Sequence, residues 1–247
     1  NPIQKGSQDV QHIFLDFEMN PIPRENREAR EIVLGEIIQI GAVKLNEDYQ
    51  LTDRFSLNVK PEYSPVMPHI TALTGIRQED VENAPLLKEA IGIFTDWILK
   101  GSDTGDGKIR IYAWSNSDWK QFSGECRLKH LEIPKCFNRW MDFQRVYTRL
   151  MGLSRRNPLS LTNALGASSG SFSGSQHSAM VDAENSASLL TLVKDPEAFA
   201  ERTKVVRQLM GKEPEPAGAT LGDLFDLSKI PERKPRVKSA GKKKKKR

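Results

Sequence analysis

The sequence has only two cysteines in 247 residues, Cys126 and Cys136. Two thiols are too few for a disulfide framework, and their spacing fits no zinc-binding pattern. No apolar run approaches the roughly 18 residues needed to span a membrane. These absences argue against a disulfide-stabilised secreted protein and against a membrane-spanning one, and we expect a cytoplasmic protein with ordinary thiols.

Charge is distributed unevenly along the chain, although the formal net charge is only +5. The segment 229–247, KIPERKPRVKSAGKKKKKR, holds eleven Lys or Arg and one Glu, so the remaining residues carry a net −5. Such a polybasic, disordered tail is typical either of a nucleic-acid contact, because Lys and Arg release counterions from phosphates, or of a solubility tail. Residues 212–228 are predicted to be a linker with a short apolar docking segment, TLGDLFDL.

Apolar patterning predicts one α/β domain over residues 1–211. HIFLDFE (12–18) and EIIQIGAVKL (36–45) predict buried strands, and YQLTDRFSLNVK (49–60) predicts a third that forms a hairpin with the second. Further strands are expected at 108–114 and 137–143. Helices are expected between and after them, at 84–100, 117–131, 144–153, 160–166, 178–194 and 197–210. Hairpin strands followed by this alternation predict a mixed sheet.

Two acidic residues share one face of the first predicted strand. In LDFEM, Asp16 and Glu18 are two positions apart, so their side chains point the same way. Neighbouring carboxylates repel unless a positive charge lies between them, and Mg²⁺ or Mn²⁺ prefers oxygen ligands. Taken alone, however, the pattern is more typical of a solvated strand end than of a metal site.

Two later stretches are equally ambiguous by themselves. Asp118, in SNSDW, follows the predicted strand 108–114, where an acid often caps a helix. In HSAMVDA (177–183), His177 ends a Gly/Ser-rich loop and Asp182 lies in the next helix. Small residues at 178, 179 and 183 would let that helix pack closely on a sheet, but a surface histidine and an ordinary helix acid explain the stretch as well.

In this order, DFE, SNSD and HSAMVDA together resemble the three motifs of the DEDDh family of 3′–5′ exonucleases, in the ribonuclease-H-like superfamily. DFEMN, PHITALTGI (68–76) and VENAP (81–85) most resemble the ERI-1/KapD-like subgroup. The resemblance covers about residues 10–195. It implies a mixed five-stranded sheet, antiparallel over strands 1–3 and then parallel, flanked by helices. It also implies release of nucleoside 5′-monophosphates from the 3′ end of single-stranded RNA or DNA.

The resemblance also implies a metal site. Two Mg²⁺ or Mn²⁺ ions would clamp the scissile phosphate and stabilise the attacking and leaving oxygens. The acids that would hold these ions are those of the three motifs, Asp16, Glu18, Asp118 and Asp182.

The remaining roles implied by the resemblance concern the base and the substrate. His177 would be the general base that deprotonates the attacking water, working from a loop that closes over the 3′ end. Phe17 and Met19 beside the acids, and Thr74 and Gly75 in the TGI segment, would contact the terminal nucleotide. For Phe17, packing in the core is an equal alternative.

Some features leave alternatives open. Ser117 stands where some relatives have an aromatic residue, so Trp114 or Trp119 could stack on the substrate base instead, or belong to the core. The fold could also serve a non-catalytic nucleic-acid-binding or regulatory protein, or a proofreading subunit whose 220–230 segment docks on a polymerase. Because all five polar motif residues are present, the sequence favours the enzyme, and the subgroup resemblance favours RNA.

Overall fold

The computed structural model of the chain describes residues 10–100, 108–154, 156–168, 170–174 and 177–209. The described strands form a five-stranded sheet in the order β3-β2-β1-β4-β5. Strands β1, β2 and β3 pair antiparallel, whereas β4 runs parallel to β1, and β5 parallel to β4. This is the predicted mixed sheet. The strands are β1 (Gln11–Pro21), β2 (Gly35–Leu45), β3 (Leu51–Asn58), β4 (Ile109–Ala113) and β5 (Trp140–Asp142).

Helices connect these strands and cover both faces of the sheet. The expected helices are confirmed, with boundaries shifted by a few residues. The helices are α1 (Arg27–Ile32), α2 (Pro68–Thr74), α3 (Gln78–Glu82), α4 (Leu87–Leu99), α5 (Ser117–Leu128), α6 (Phe143–Leu150), α7 (Leu161–Ala167), α8 (Ala179–Val193) and α9 (Pro196–Leu209). No helix in the described ranges is both long enough and apolar enough to cross a membrane.

The alternation of β1 assigns its side chains to two separate cores. Ile13, Leu15 and Phe17 pack with α4 and α5 on one face of the sheet. Phe14 packs with α6, α7 and α8 on the other face. Because side chains alternate along a strand, Asp16 and Glu18 lie on the same face as Phe14, beneath α8. The period-2 pattern therefore decides which helix the two acids meet.

The differences from the sequence expectations are local. Helices α1, α2 and α3 were not predicted, since each has seven residues or fewer and only one buried side chain, Ala29, Ile70 and Val81 respectively. The strand expected at 137–143 shortens to β5, because a 3₁₀ helix occupies Lys135–Arg139. Both cysteines are buried, and they form no disulfide with one another, which agrees with the expectation of ordinary thiols. The predicted linker at 212–228 and the tail at 229–247 lie outside the described residues.

Candidate active site

Three acidic side chains meet between the central strand and one helix. Asp16 and Glu18 extend from β1, and Asp182 lies in the first turn of α8. One carboxylate oxygen from each lies within 4.8 Å of the other two. The helix packs directly on β1 and β2, so residues 164 or more positions apart in the chain share one small site.

Asp118 joins this cluster from the next strand of the sheet. Because β4 runs parallel to β1, the carboxyl ends of both strands point to one edge of the sheet, and α5 begins there. The Asp118 carboxyl is buried. It accepts hydrogen bonds from its own backbone N–H, from the N–H of Phe17 and from the Ser115 hydroxyl. These bonds tie the start of α5 to β1 beside the acid pair.

A cavity of about 300 Å³ opens over these acids. Asp16, Asp118, Asp182 and His177 all line it, so four of the five polar motif residues border one space, and Glu18 is joined to them through the acid cluster. The other lining residues are Phe17, Met19, Trp114, Ser115, Ser117, Leu161, Thr162 and Phe172. The cavity therefore combines carboxylates, one imidazole and an apolar wall.

Burial and mutual repulsion disfavour the charged forms of these carboxyls. Burial, with the charges of Asp182 and Asp118, raises the pKa of Glu18 to about 7. Burial also raises the pKa of Asp118 to about 7. Burial and the neighbouring acids hold the pKa of Asp16 well above its usual value. Burial raises the pKa of Asp182 as well, although the His177 N–H opposes this.

This donor set fits a hard divalent cation. Carboxylate oxygens are the preferred ligands of Mg²⁺ and Mn²⁺, and the repulsion that raises these pKa values is relieved by a positive charge among them. The cluster of Asp16, Glu18 and Asp182, with Asp118 beside it, can therefore hold a divalent metal ion.

His177 lies at the rim of the site, directly before α8. Its backbone adopts the left-handed conformation, with φ of 62°, and its side chain is exposed. The backbone N–H of His177 donates a hydrogen bond to Oδ2 of Asp182 over 3.2 Å. Ala179 and Ala183 are fully buried, as expected for small residues that let the helix pack closely.

The predicted substrate-contact residues take different positions. The Phe17 side chain is buried against Phe122 and Trp140, so little of its ring is exposed to the cavity. Met19 borders the cavity. Thr74 ends α2, and Gly75 caps that helix in the left-handed conformation, with φ of 78°.

Thr74 and Gly75 do not appear among the described residues that line the cavity. Their segment is nevertheless tied to the end of β1. Asn20 is fully buried; its amide donates to the Ser64 hydroxyl over 3.0 Å and accepts from the Met67 N–H over 3.0 Å. The start of α2 is therefore held beside the strand that carries the acids.

The structure distinguishes the two tryptophans that the sequence left open. Trp114 lines the cavity, and its indole N–H donates to the Leu159 carbonyl over 3.2 Å. Trp119 packs against Trp140, with ring centroids 5.3 Å apart, on the opposite face of the sheet. Of the two, Trp114 is therefore the one positioned to meet a ligand.

Sequence reasoning missed several residues of the site. Phe172, in the Gly/Ser-rich loop, and Leu161 and Thr162, at the start of α7, border the cavity. Phe172 is the one aromatic residue in LGASSGSFSGSQ, and a single aromatic side chain in a loop of small and polar residues was a signal for a substrate contact. Gly41 was also missed, although an isolated glycine within an apolar strand indicates a close backbone approach.

Comparison with known proteins supports the family suggested by the motifs. A family model described as RNase_T, Exonuclease, matches residues 13–190. ERI1 exoribonuclease 2 of Xenopus laevis is 30% identical over 197 residues, which cover 72% of this chain and 27% of that protein. The 3′-5′ exonuclease Snipper of Drosophila melanogaster is 28% identical over 208 residues, covering 76% of this chain and 71% of that protein.

The fold also matches a solved structure. The nuclease domain of 3′hExo, a DEDDh family member bound to rAMP, superposes with a TM-score of 0.67 at 23% identity, covering 77% of this chain and 94% of that one. This chain spans about a quarter of the length of the ERI1 exoribonuclease 2 relative. The matched segment contains all five polar motif residues. The chain therefore belongs to the RNase_T exonuclease family and carries the motifs of its DEDDh members.

Proposed function

We propose that this protein is a metal-dependent 3′–5′ exonuclease that hydrolyses phosphodiester bonds at the 3′ end of single-stranded RNA or DNA and releases nucleoside 5′-monophosphates. One observation carries this proposal. Four carboxylates and a histidine from three distant parts of the chain converge on the acid cluster and the cavity above it. A structural role does not account for grouping buried and partly buried carboxyls that repel one another.

The acids would hold the metal. Asp16, Glu18 and Asp182 would form one binding site, and Asp118, across the cavity, would contribute to a second. Bound Mg²⁺ or Mn²⁺ would polarise the scissile phosphate and supply a water with a lowered pKa. Asp118 is fixed by three donors, and Asp182 by the His177 N–H, so the carboxylates are oriented before substrate arrives.

His177 would act as the general base. Its imidazole is exposed at the mouth of the cavity, where it can take a proton from an attacking water and pass it to solvent. Since the backbone N–H of His177, rather than its ring, bonds to Asp182, the ring stays available for proton transfer while the residue stays anchored.

The apolar wall would receive the terminal base. Aromatic side chains stack on unpaired bases and are the usual means of gripping single strands. Trp114 is held edge-on against Phe143 and tilted against Tyr147, which fixes its ring. Phe172 approaches from the Gly/Ser-rich loop. Together they would replace the aromatic residue that some relatives carry at position 117.

The tail would add non-specific affinity. Residues 229–247 concentrate positive charge, and phosphate neutralisation raises the affinity for any nucleic acid.

The related 3′hExo structure contains rAMP, a nucleoside monophosphate of the kind that the proposed reaction releases, and the ERI1 and Snipper relatives are named as exonucleases. A cytoplasmic location stays a prediction from cysteine usage.

One assay tests the proposal directly. The full chain is incubated with 3′- or 5′-labelled single-stranded RNA and DNA in Mg²⁺, Mn²⁺ or EDTA. We expect a 5′-labelled oligonucleotide to shorten stepwise and a 3′ label to be released as a mononucleotide, with both abolished by EDTA and by Asp16→Ala. If neither RNA nor DNA is shortened although Mn²⁺ binds, the protein is a binding module and the proposal is wrong.

A further inference from the structure

The cross-strand partners of the two strand acids are Gly41 and Gln39. In the antiparallel pairing of β1 with β2, Asp16 lies opposite Gly41 and Glu18 lies opposite Gln39. Directly paired residues project from the same face of a sheet. Both partners therefore face α8, the helix that carries Asp182.

Gly41 lets this helix reach the sheet. A Cβ at position 41 would lie 2.0 Å from the Met180 nitrogen and 2.1 Å from the Ala179 carbonyl carbon. Ordinary van der Waals contact begins at 3.4 Å, so any side chain here would push the first turn of α8 outward by about 1 Å or more. Gly41 thus sets how near Asp182 comes to Asp16.

Gln39 holds the same helical turn from the neighbouring position. Its Oε1 accepts a hydrogen bond from the Ala179 N–H over 3.2 Å. The first backbone N–H groups of a helix have no acceptor within the helix, and the residue that precedes α8, Ser178, makes no side-chain cap. The glutamine amide therefore supplies a cap that comes from the sheet instead of from the helix.

A second amide orients Gln39. Its Nε2 donates to Oδ1 of Asn58 over 3.0 Å, and Nδ2 of Asn58 donates to the Asp80 carbonyl over 3.2 Å. Because Asn58 accepts from Nε2 of Gln39 and is itself held by the Asp80 carbonyl, Oε1 of Gln39 is directed at α8. The chain of hydrogen bonds joins α3, the end of β3, β2 and the start of α8.

We propose that Gln39 and Gly41 are positioning residues that hold the first turn of α8, and with it Asp182, against Asp16 and Glu18. This inference rests on the proposed function only where turnover is concerned. Partners that orient metal ligands typically change metal affinity by about 10–100-fold when they are removed. Gln39 and Gly41 are not among the described residues that line the cavity and offer no carboxylate to the acid cluster, so we expect their effect to pass through the helix.

The Ala179 amide provides a readout that does not depend on activity. We expect amide hydrogen exchange at Ala179 to be slow in the metal-free full chain, and roughly tenfold or more faster in Gln39→Leu. Gln39→Glu keeps an acceptor for this N–H but loses the donor to Asn58, so it should retain part of the protection. Gln50→Leu, in the exposed turn before β3, is the matched control and should not alter it.

Mn²⁺ titration then tests the consequence for the site. We expect Gln39→Leu to bind Mn²⁺ about 10–100-fold more weakly, with Gln39→Glu recovering much of the loss. Equal Mn²⁺ affinity in wild type and Gln39→Leu, or equal damage in Gln39→Leu and Gln39→Glu, would overturn the role of the Gln39 acceptor.

Gly41→Ala tests the close approach independently. This variant should weaken Mn²⁺ binding and should lower kcat more than it raises KM. Gly92→Ala is the same change at a position with nothing within 4 Å, and it should leave Mn²⁺ binding, kcat and KM unchanged. If Gly41→Ala does not fold, Gln39→Leu carries the test. If wild type proves inactive on every oligonucleotide but the exchange and Mn²⁺ results hold, the exonuclease proposal fails and the positioning inference stands.

Discussion

The backbone N–H of His177 donates to Oδ2 of Asp182, so the first and last functional residues of HSAMVD are in direct contact. The left-handed backbone at His177 turns the chain so that its N–H points back at the helix while its ring stays exposed. In the proposed mechanism the motif therefore separates two tasks: the backbone of His177 would support a metal-binding acid, and its side chain would be left for proton transfer.

This separation predicts a selective effect of His177→Ala. The variant keeps the backbone N–H and so should bind Mn²⁺ normally, but kcat should fall by about 10²–10⁴-fold through loss of the general base. His130→Ala is a matched control, because His130 is also exposed and also has a left-handed backbone, with φ of 54°. If His177→Ala loses Mn²⁺ binding and His130→Ala does not, the role of the His177 side chain is structural.

Removing one charge from the acid cluster should stabilise the metal-free protein. Glu18→Gln removes a charge that burial disfavours and that repels Asp182 and Asp118, so we expect its free energy of unfolding at pH 8 to rise by about 1–3 kcal/mol. Thermal unfolding in EDTA measures this. Added Mn²⁺ should raise the Tm of wild type but not that of Glu18→Gln. A lower Tm for the variant in EDTA would show that the Glu18 charge does not destabilise the metal-free protein.

The raised pKa values also predict how stability and metal binding depend on pH. A carboxyl whose pKa is higher in the folded than in the unfolded state stabilises the fold at low pH, and that stability is lost as pH rises through the folded-state value. For Glu18 and Asp118 the window runs from about 4 to about 7. The Tm in EDTA should therefore fall across this window, in a buffer series at constant ionic strength.

Mn²⁺ affinity should change in the opposite direction. The ion binds the deprotonated carboxylates, so the affinity for Mn²⁺ should rise as pH increases through about 7. At pH 6.5, where these carboxyls are partly protonated, Mn²⁺ binding should release protons. Calorimetry in buffers of different ionisation enthalpy counts the protons released. A pH-independent affinity between pH 5.5 and 8 would show that these carboxyls are already ionised.

Phe172 should contribute to the binding of the terminal base. Loss of one base–aromatic stack costs about 1–3 kcal/mol, so Phe172→Ala should raise KM for a single-stranded oligonucleotide roughly tenfold, and Phe172→Tyr should restore it. Trp119→Phe, on the opposite face of the sheet, should leave KM unchanged. An increase of KM in Trp119→Phe but not in Phe172→Ala would reverse the assignment.

Truncation after residue 228 should reduce nucleic-acid affinity without altering chemistry. Removing this basic segment should weaken binding most at low salt and flatten the dependence of log K on log salt concentration. The single-turnover rate at saturating substrate should stay near that of wild type. Replacing 229–247 with a Gly/Ser stretch of equal length provides the control. An unchanged salt slope would leave the tail with no role in binding.

Local sequence patterns predicted some features of the fold and the site, and failed to predict others. The alternation in HIFLDFE was sufficient to place Asp16 and Glu18 together on one face of a buried strand, because a period of two needs no tertiary information. The hairpin of β2 and β3 and the apolar face of α4 followed from equally local patterns. The short helices α1, α2 and α3 and the 3₁₀ turn before β5 did not, since each depends on packing around a short segment with little periodicity of its own.

The sequence by itself determined the strands, the motif acids and, through their order, the family. Only the tertiary structure decided that Gly41 and Gln39 bring α8 to the acid pair, that Trp114 rather than Trp119 meets the cavity, and that Phe172 faces the cavity as well. It also decided the raised pKa values of Glu18 and Asp118. The physical reason is the same in each case: distance, burial and repulsion depend on which segments pack together, and residues far apart in the chain acquire these properties only when it folds.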